Sequence, residues 1–272
     1  MSVLDAATPT PLSTALAPLL AAGEPPAFSV LRAEGGSAFV LVCDHASARI
    51  PGSLGLLGLS EGERASHIAW DIGAAAVAQA LSERLDASLI LQNYSRLVVD
   101  CNRPPHSPEF IATQSEWGRV SGNLHLSAEQ AAARRLQIFN PYHAAITTLL
   151  DQRMLARKPT ILIAVHSFTP VYRGDSRPWH IGLMYRQDRH GLAAEMLKRL
   201  GRDERLTVGD NEPYAIDDDL DHTLPLHGEM RGIAHVGIEI RQDLIADQAG
   251  QKNWAGRLAS LLKQLPAGLA AA

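Results

Sequence analysis

Four short apolar runs in this chain end in polar groups or carry them, and this pattern narrows the possible folds more than any other feature. Phe39-Val40-Leu41-Val42-Cys43 leads into Asp44-His45, and Leu97-Val98-Val99 leads into Asp100-Cys101-Asn102-Arg103. Ile161-Leu162-Ile163-Ala164-Val165 leads into His166-Ser167, and the run from His235 to Arg241 holds Glu239 and Arg241 inside it. Apolar runs of this length read as strands. In open α/β sheets, ligands bind beyond the carboxyl ends of strands, so the four segments are expected to converge on one pocket.

Helix signals alternate with these strand signals, which predicts a three-layer α/β/α sandwich. Strands are expected at 38–43, 88–92, 96–100, 160–165, 180–185, 204–209 and 235–241. Helices are expected at 60–69, 71–85, 127–156, 190–200, 222–231 and 250–264. Asp71 stands where a carboxylate would cap the second helix. Ser127 to Gln130 has the capping-box pattern, and Pro141 predicts a kink or two helices in the 127–156 stretch. Long loops are expected at 101–126 and at 167–179, the latter carrying the basic Arg173 and Arg177.

With 272 residues and no Pro/Gly/Ser-rich linker through the middle, one domain over 1–272 is expected. Within it, 1–27 reads as an N-terminal arm and 266–272 as a frayed end. A net charge of −4 argues against nucleic acid or an anionic membrane as the main partner. No apolar run reaches the roughly 18 residues of a membrane helix, and the N-terminus lacks a basic leader, so a cytoplasmic location is expected. The two cysteines, Cys43 and Cys101, make no disulfide framework and are expected to be buried and reduced. No phosphate-binding or dinucleotide glycine motif is present.

His45 and His166 each follow an apolar run directly, as natural ligands of a divalent metal such as Zn²⁺ would. A catalytic zinc takes three protein ligands and a water; Asp71 is the expected third ligand, with Asp44 competing for the role. Either histidine could instead be an ordinary hydrogen-bonded core residue, and Asp71 a plain helix cap. Glu239 shares a strand face with Gly237 and Arg241, and a carboxylate in so apolar a strand is costly unless paired or used. It could move a proton between a metal's water and a leaving amine, with Arg241 orienting it, or form a structural pair with Arg241. Arg96, Asp100 and Asn102 share strand parity, so that Arg96, Asn102 and Arg103 could clamp a substrate carboxylate, or Asp100 could pair with an arginine only to satisfy the strand end. His227, in a stretch rich in polar residues, could donate a hydrogen bond to substrate.

The order Asp44-His45-Ala46-Ser47, Asp71-Ile72-Gly73-Ala74, Ser95-Arg96-Leu97-Val98-Val99-Asp100-Cys101-Asn102-Arg103-Pro104, His166-Ser167-Phe168 and Glu239-Ile240-Arg241 resembles the N-formylglutamate amidohydrolase family. The resemblance spans residues 35–250, and the Ser95–Pro104 stretch is its most specific part. It implies a fold similar to the zinc carboxypeptidases and aspartoacylase-like deacylases, an α/β/α sandwich around a mixed, mostly parallel sheet. It also implies hydrolysis of N-formyl-L-glutamate to formate and glutamate, within histidine degradation. In the wider carboxypeptidase group an Asn-Arg pair holds the substrate carboxylate and a late-strand glutamate is the general base; Asn102-Arg103 and Glu239 look like these. That group has a glutamate three residues after its first histidine, where this chain has Ala48, so the third ligand must come from elsewhere.

The combined expectation is a metal-dependent amidohydrolase for a small acidic N-acyl amino acid, independent of nucleic acid and membrane. A deacylase or carboxypeptidase-like enzyme for another N-acyl amino acid is one alternative, and a non-catalytic binder of small acidic ligands is another. The sequence leaves the oligomeric state open, a homo-oligomer included.

Overall fold

The computed structural model describes residues 17–270, so most of the expected arm and the last two residues of the expected frayed end lie outside the described residues. Seven strands form one sheet: β1 (Phe28–Leu31), β2 (Phe39–Cys43), β3 (Ser88–Gln92), β4 (Ile161–Phe168), β5 (Ile181–Met184), β6 (Val208–Asp210) and β7 (Ala234–Arg241). Their spatial order is β1-β3-β2-β4-β7-β5-β6. β1 runs antiparallel to β3 and β5 antiparallel to β7, while the other neighbours are parallel. The helices are α1 (Glu61–Ala65), α2 (Ala74–Leu85), α3 (Ala128–Arg134), α4 (Asn140–Leu155), α5 (Leu192–Leu200) and α6 (Gln248–Lys263).

Alternation along each strand divides the core into two. Leu41, Leu89, Ile163, Val165, Val236 and Ile238 pack with Val77, Leu81, Met196 and Leu258 from α2, α5 and α6. Val40, Val42, Ile90, Leu162 and Ala164 pack with Ile138, Tyr142, Ile146 and Leu150 on the opposite face. Strands apolar on both faces must be covered on both, which produces the expected three layers.

The run at 96–100 departs from expectation: it is not a strand. Val98 N–H bonds Ser95 O at 2.9 Å and Asp100 N–H bonds Phe110 O at 2.9 Å, which coils the segment into turns. Its carbonyls are taken by side chains: Asn123 Nδ2 donates to Leu97 O (2.8 Å) and the buried Arg134 donates to Val98 O (2.9 Å). The run is apolar because it lies under the α3–α4 layer, and periodicity alone cannot separate that case from a strand. β4 also outlasts its expected end, so His166, Ser167 and Phe168 pair with β7 in register. The 127–156 stretch is interrupted as expected. A capping box at Ser127 starts α3, a π turn spans Arg135–Phe139, and Pro141 sits in the first turn of α4.

Asp71 is not a helix cap. α2 starts at Ala74, with Gly73 as its N-cap in the left-handed region (φ 80°). A Cβ at Gly73 would collide with the Ile245 carbonyl oxygen. Gly73→Ala is therefore expected to destabilise the fold by about 2–4 kcal/mol, read as a shift in the urea midpoint. Because Asp71 lies two residues upstream, the same change should disturb the centre described next.

Candidate active site

Asp71 lies between the two histidines. Its N–H bonds the His45 carbonyl at 3.0 Å, which tethers the segment to the end of β2. Its Oδ2 stands 2.8 Å from His166 Nδ1 and 3.4 Å from His45 Nδ1. All three residues are buried, and one donor atom from each lies within 4.8 Å of the others.

The far nitrogen of each histidine faces a second carboxylate. His45 Nε2 meets Asp100 Oδ1 at 2.7 Å, and His166 Nε2 stands 3.3 Å from Asp44 Oδ2. Asp100 is clamped by Arg96 through Nε (2.9 Å) and Nη2 (2.7 Å). Asp44 Oδ1 accepts from Tyr142 Oη (2.8 Å) and Thr223 Oγ1 (2.7 Å). Burial works against both charges. Arg96 nevertheless holds Asp100 well below the usual carboxylate range, and His166 and His45 bring Asp44 down to about 2.

This arrangement fits a divalent cation. Ligating imidazoles characteristically give their other nitrogen to a carboxylate, which sets ring orientation and raises basicity. His45 Nδ1 has no hydrogen-bond partner despite its burial, although Asp71 Oδ2 is beside it. Two nitrogens and one oxygen make a donor set suited to catalytic zinc, with room for a water.

Glu239 belongs to the same place. β7 pairs with β4 so that Glu239 is the register partner of His166. Burial pushes the Glu239 carboxyl up to about 7, with Asp71 adding to the rise and the two histidines opposing it. Its Oε2 is buried without a partner. A carboxyl so placed can take and return a proton near neutral pH.

His45, Asp71, Arg96, Asn102, Arg103, His166 and Glu239 all line one cavity of about 540 Å³. Arg96, Asn102 and Arg103 reach it, though from turns and not from a strand, so the strand parity expected of Arg96, Asp100 and Asn102 does not hold. Asn102 is largely engaged: Nδ2 donates to Asp221 (3.0 Å), and Oδ1 accepts from the N–H groups of His222 (3.2 Å) and Thr223 (3.1 Å). Arg103 binds Glu109 through Nε (2.9 Å) and also reaches the Leu220 carbonyl.

Two expected site residues are elsewhere. Arg241 pairs with Asp243 (2.8 Å) and the Pro178 carbonyl, not with Glu239, because the chain turns away at the end of β7. His227 is fully buried outside the cavity wall, 3.0 Å from His143. Tyr142, Thr223 and the second carboxylates Asp44 and Asp100 escaped the sequence reading in these supporting roles. A signal existed for Tyr142: it shares an apolar helix stripe with Ile146 and Leu149, where a buried hydroxyl needs a partner.

The buried histidine pair has a consequence for stability. His143 Nε2–H donates to the Cys101 carbonyl (2.8 Å), so His143 Nδ1 must accept from His227 Nε2–H. Burial lowers His143 to about 4 and His227 to about 3, with like charge from neighbouring histidines adding to both. Both stay neutral in the folded chain while the unfolded chain protonates near 6.5. The pair's own contribution to stability is thus expected to be full above about pH 6.5 and to fall as pH drops toward 4, by up to about 1.4 kcal/mol per unit for each histidine, while His45, His166 and Glu239, all raised in the folded chain, act in the opposite direction. Urea midpoints of the parent and of His227→Gln at about pH 7.5 and pH 5 test this: the variant is expected to lose less stability on acidification than the parent, and an equal change in both would contradict it.

The sequence model of the family described as N-formylglutamate amidohydrolase matches residues 37–246. The crystal structure of a gene product from Agrobacterium tumefaciens is similar, with 39% identity, 90% of this chain and 97% of that chain covered, and a TM-score of 0.86. The N-formylglutamate amidohydrolase from Ralstonia eutropha JMP134 shares the fold at 18% identity, with 86% of this chain and 94% of that chain covered and a TM-score of 0.61. No curated protein matches the chain in sequence. Among the described residues, no helix is long and apolar enough to cross a membrane.

Proposed function

This chain belongs to the N-formylglutamate amidohydrolase family, hydrolases of a linear amide, and on that premise we propose that it cleaves an N-formylated (N-acylated) acidic amino acid, N-formyl-L-glutamate, to formate and L-glutamate. The observation that carries the reading is the unpartnered Glu239 Oε2 in the cavity shared with the His45–Asp71–His166 group.

His45, Asp71 and His166 would hold a divalent metal, zinc by its donor set. When bound, such an ion polarises the amide carbonyl and lowers the pKa of water. Glu239 takes the proton of the attacking water at Oε2 as the new C–O bond forms at the formyl carbon. It then gives that proton to the amine nitrogen as the C–N bond breaks. Asp100 and Asp44 orient the two imidazoles from behind. Arg96, with Asn102 and Arg103 beside it, anchors the α-carboxylate of the substrate.

Formate release across a panel of N-formyl and N-acetyl amino acids tests the reading. N-formyl-L-glutamate is expected to give the highest kcat/KM. Binding of N-formyl-L-glutamate without release of formate would reduce the protein to a ligand-binding module, and preference for an acetyl group would make it a deacylase of another kind.

A further inference from the structure

We propose that Arg173 reads the second, side-chain carboxylate of the substrate and so sets the enzyme's preference for an acidic amino acid. The inference rests on the function proposed above and on the engagement of the cationic groups around the cavity. Three arginines line it: Arg96, Arg103 and Arg173. Arg96 binds Asp100 through two nitrogens and has Asp71 3.8 Å from a third. Arg103 is bound to Glu109 and to the carbonyls of Asn102 and Leu220. The His67 ring, also on the wall, is taken by Glu116 at 2.8 Å. The exposed guanidinium of Arg173 makes no hydrogen bond or ion pair among the described residues.

The backbone presents that group deliberately. Arg173 sits at the tip of a hairpin whose short strands are Val171–Tyr172 and Asp175–Ser176. Its φ is 53° and that of Gly174 is 92°, the two positive values that a two-residue hairpin turn takes. Glu116 holds the turn in place: Oε1 accepts the Arg173 N–H at 2.8 Å, and Oε2 is held by His67. The tip is thereby fastened to the cavity wall through one carboxylate. The guanidinium rests over the Tyr172 ring, 5.2 Å from its centroid, which limits its swing without neutralising it. Beyond the nearby Glu116 carboxylate, which its charge helps to hold ionised, the exposed guanidinium has no ion-pair partner among the described residues and is open to an anion at the cavity, and its planar fork suits a carboxylate. A monocarboxylate anchored at Arg96 would leave Arg173 unanswered; a dicarboxylate would engage both.

The test compares N-formyl-L-glutamate with its neutral isostere N-formyl-L-glutamine, in turnover by formate release and in binding by calorimetry. Arg173→Ala is expected to lower kcat/KM and affinity for the glutamate compound by about 10–100-fold, the value of a charge-assisted pair. The glutamine compound should move by less than about threefold, so that the ratio between the two collapses, and Arg173→Lys should recover part of it. A ratio unchanged in Arg173→Ala, or equal losses on both compounds, overturns the assignment. If the wild-type protein releases no formate yet binds the glutamate compound with a preference that Arg173→Ala abolishes, the assignment stands and the proposed reaction fails. If the wild type neither binds nor cleaves it, both fail.

Discussion

Replacing Glu239 by glutamine is expected to lower kcat for formate release by about 10²–10⁴-fold, the usual contribution of a positioned general base. KM should change little, because Glu239 moves a proton and makes no ground-state contact with the substrate's carboxylates. Stability should move the other way. The carboxyl is buried and one of its oxygens has no partner, so a neutral amide removes a charge that burial opposes. The thermal midpoint of Glu239→Gln is therefore expected to equal or exceed that of the parent chain, the pattern of a residue retained for activity at some cost in stability. A variant that keeps kcat within threefold of the parent would remove Glu239 from the mechanism, whatever else the protein does.

His166→Ala is expected to have the second large effect, on metal content. Loss of an outer partner such as Asp44 or Asp100 ordinarily costs about 10–100-fold in metal affinity. Loss of a ligand should exceed that, leaving the purified protein with less than about a tenth of the stoichiometric metal found in the parent. His45→Ala should behave alike, because the two imidazoles hold equivalent places on either side of Asp71. Elemental analysis of protein purified without chelator, followed by competition against a graded series of chelators, gives both the content and the affinity. Full retention of metal in either variant would place the ion elsewhere or show that the three side chains hold none. The fold should survive, since Asp71 keeps its backbone bond to the His45 carbonyl and the cores on both sheet faces are untouched.

Much of the architecture was legible because it depends on local periodicity. β2, β3 and β7 fall within a residue of their expected places, as does the cap at Ser127. The failures have one kind of cause. Leu97-Val98-Val99 is as apolar as a strand, but it is apolar because other elements enclose it, and its carbonyls are bonded by Asn123 and Arg134. Of the two roles open to Asp71, the cap falls away because Gly73 takes it, and Asp71 faces two histidines as a third ligand would. His227 looked functional because polar residues clustered around it, and it pairs instead with His143, whose partnership spans 84 residues of chain.

The chain's own order of residues determined the sandwich, the two-sided burial of its strands and the placing of Glu239 on the face opposite Val236, Ile238 and Ile240, since a period of two is written into the local sequence. Which groups meet was decided only by tertiary structure. Asp71 reaches His166 across 95 positions and Asp44 meets Thr223 across 179, and the register of β4 on β7 sets Glu239 beside His166. Those meetings depend on where a strand slides against its neighbour and where a turn reverses the backbone, and both are settled by packing over the whole sheet.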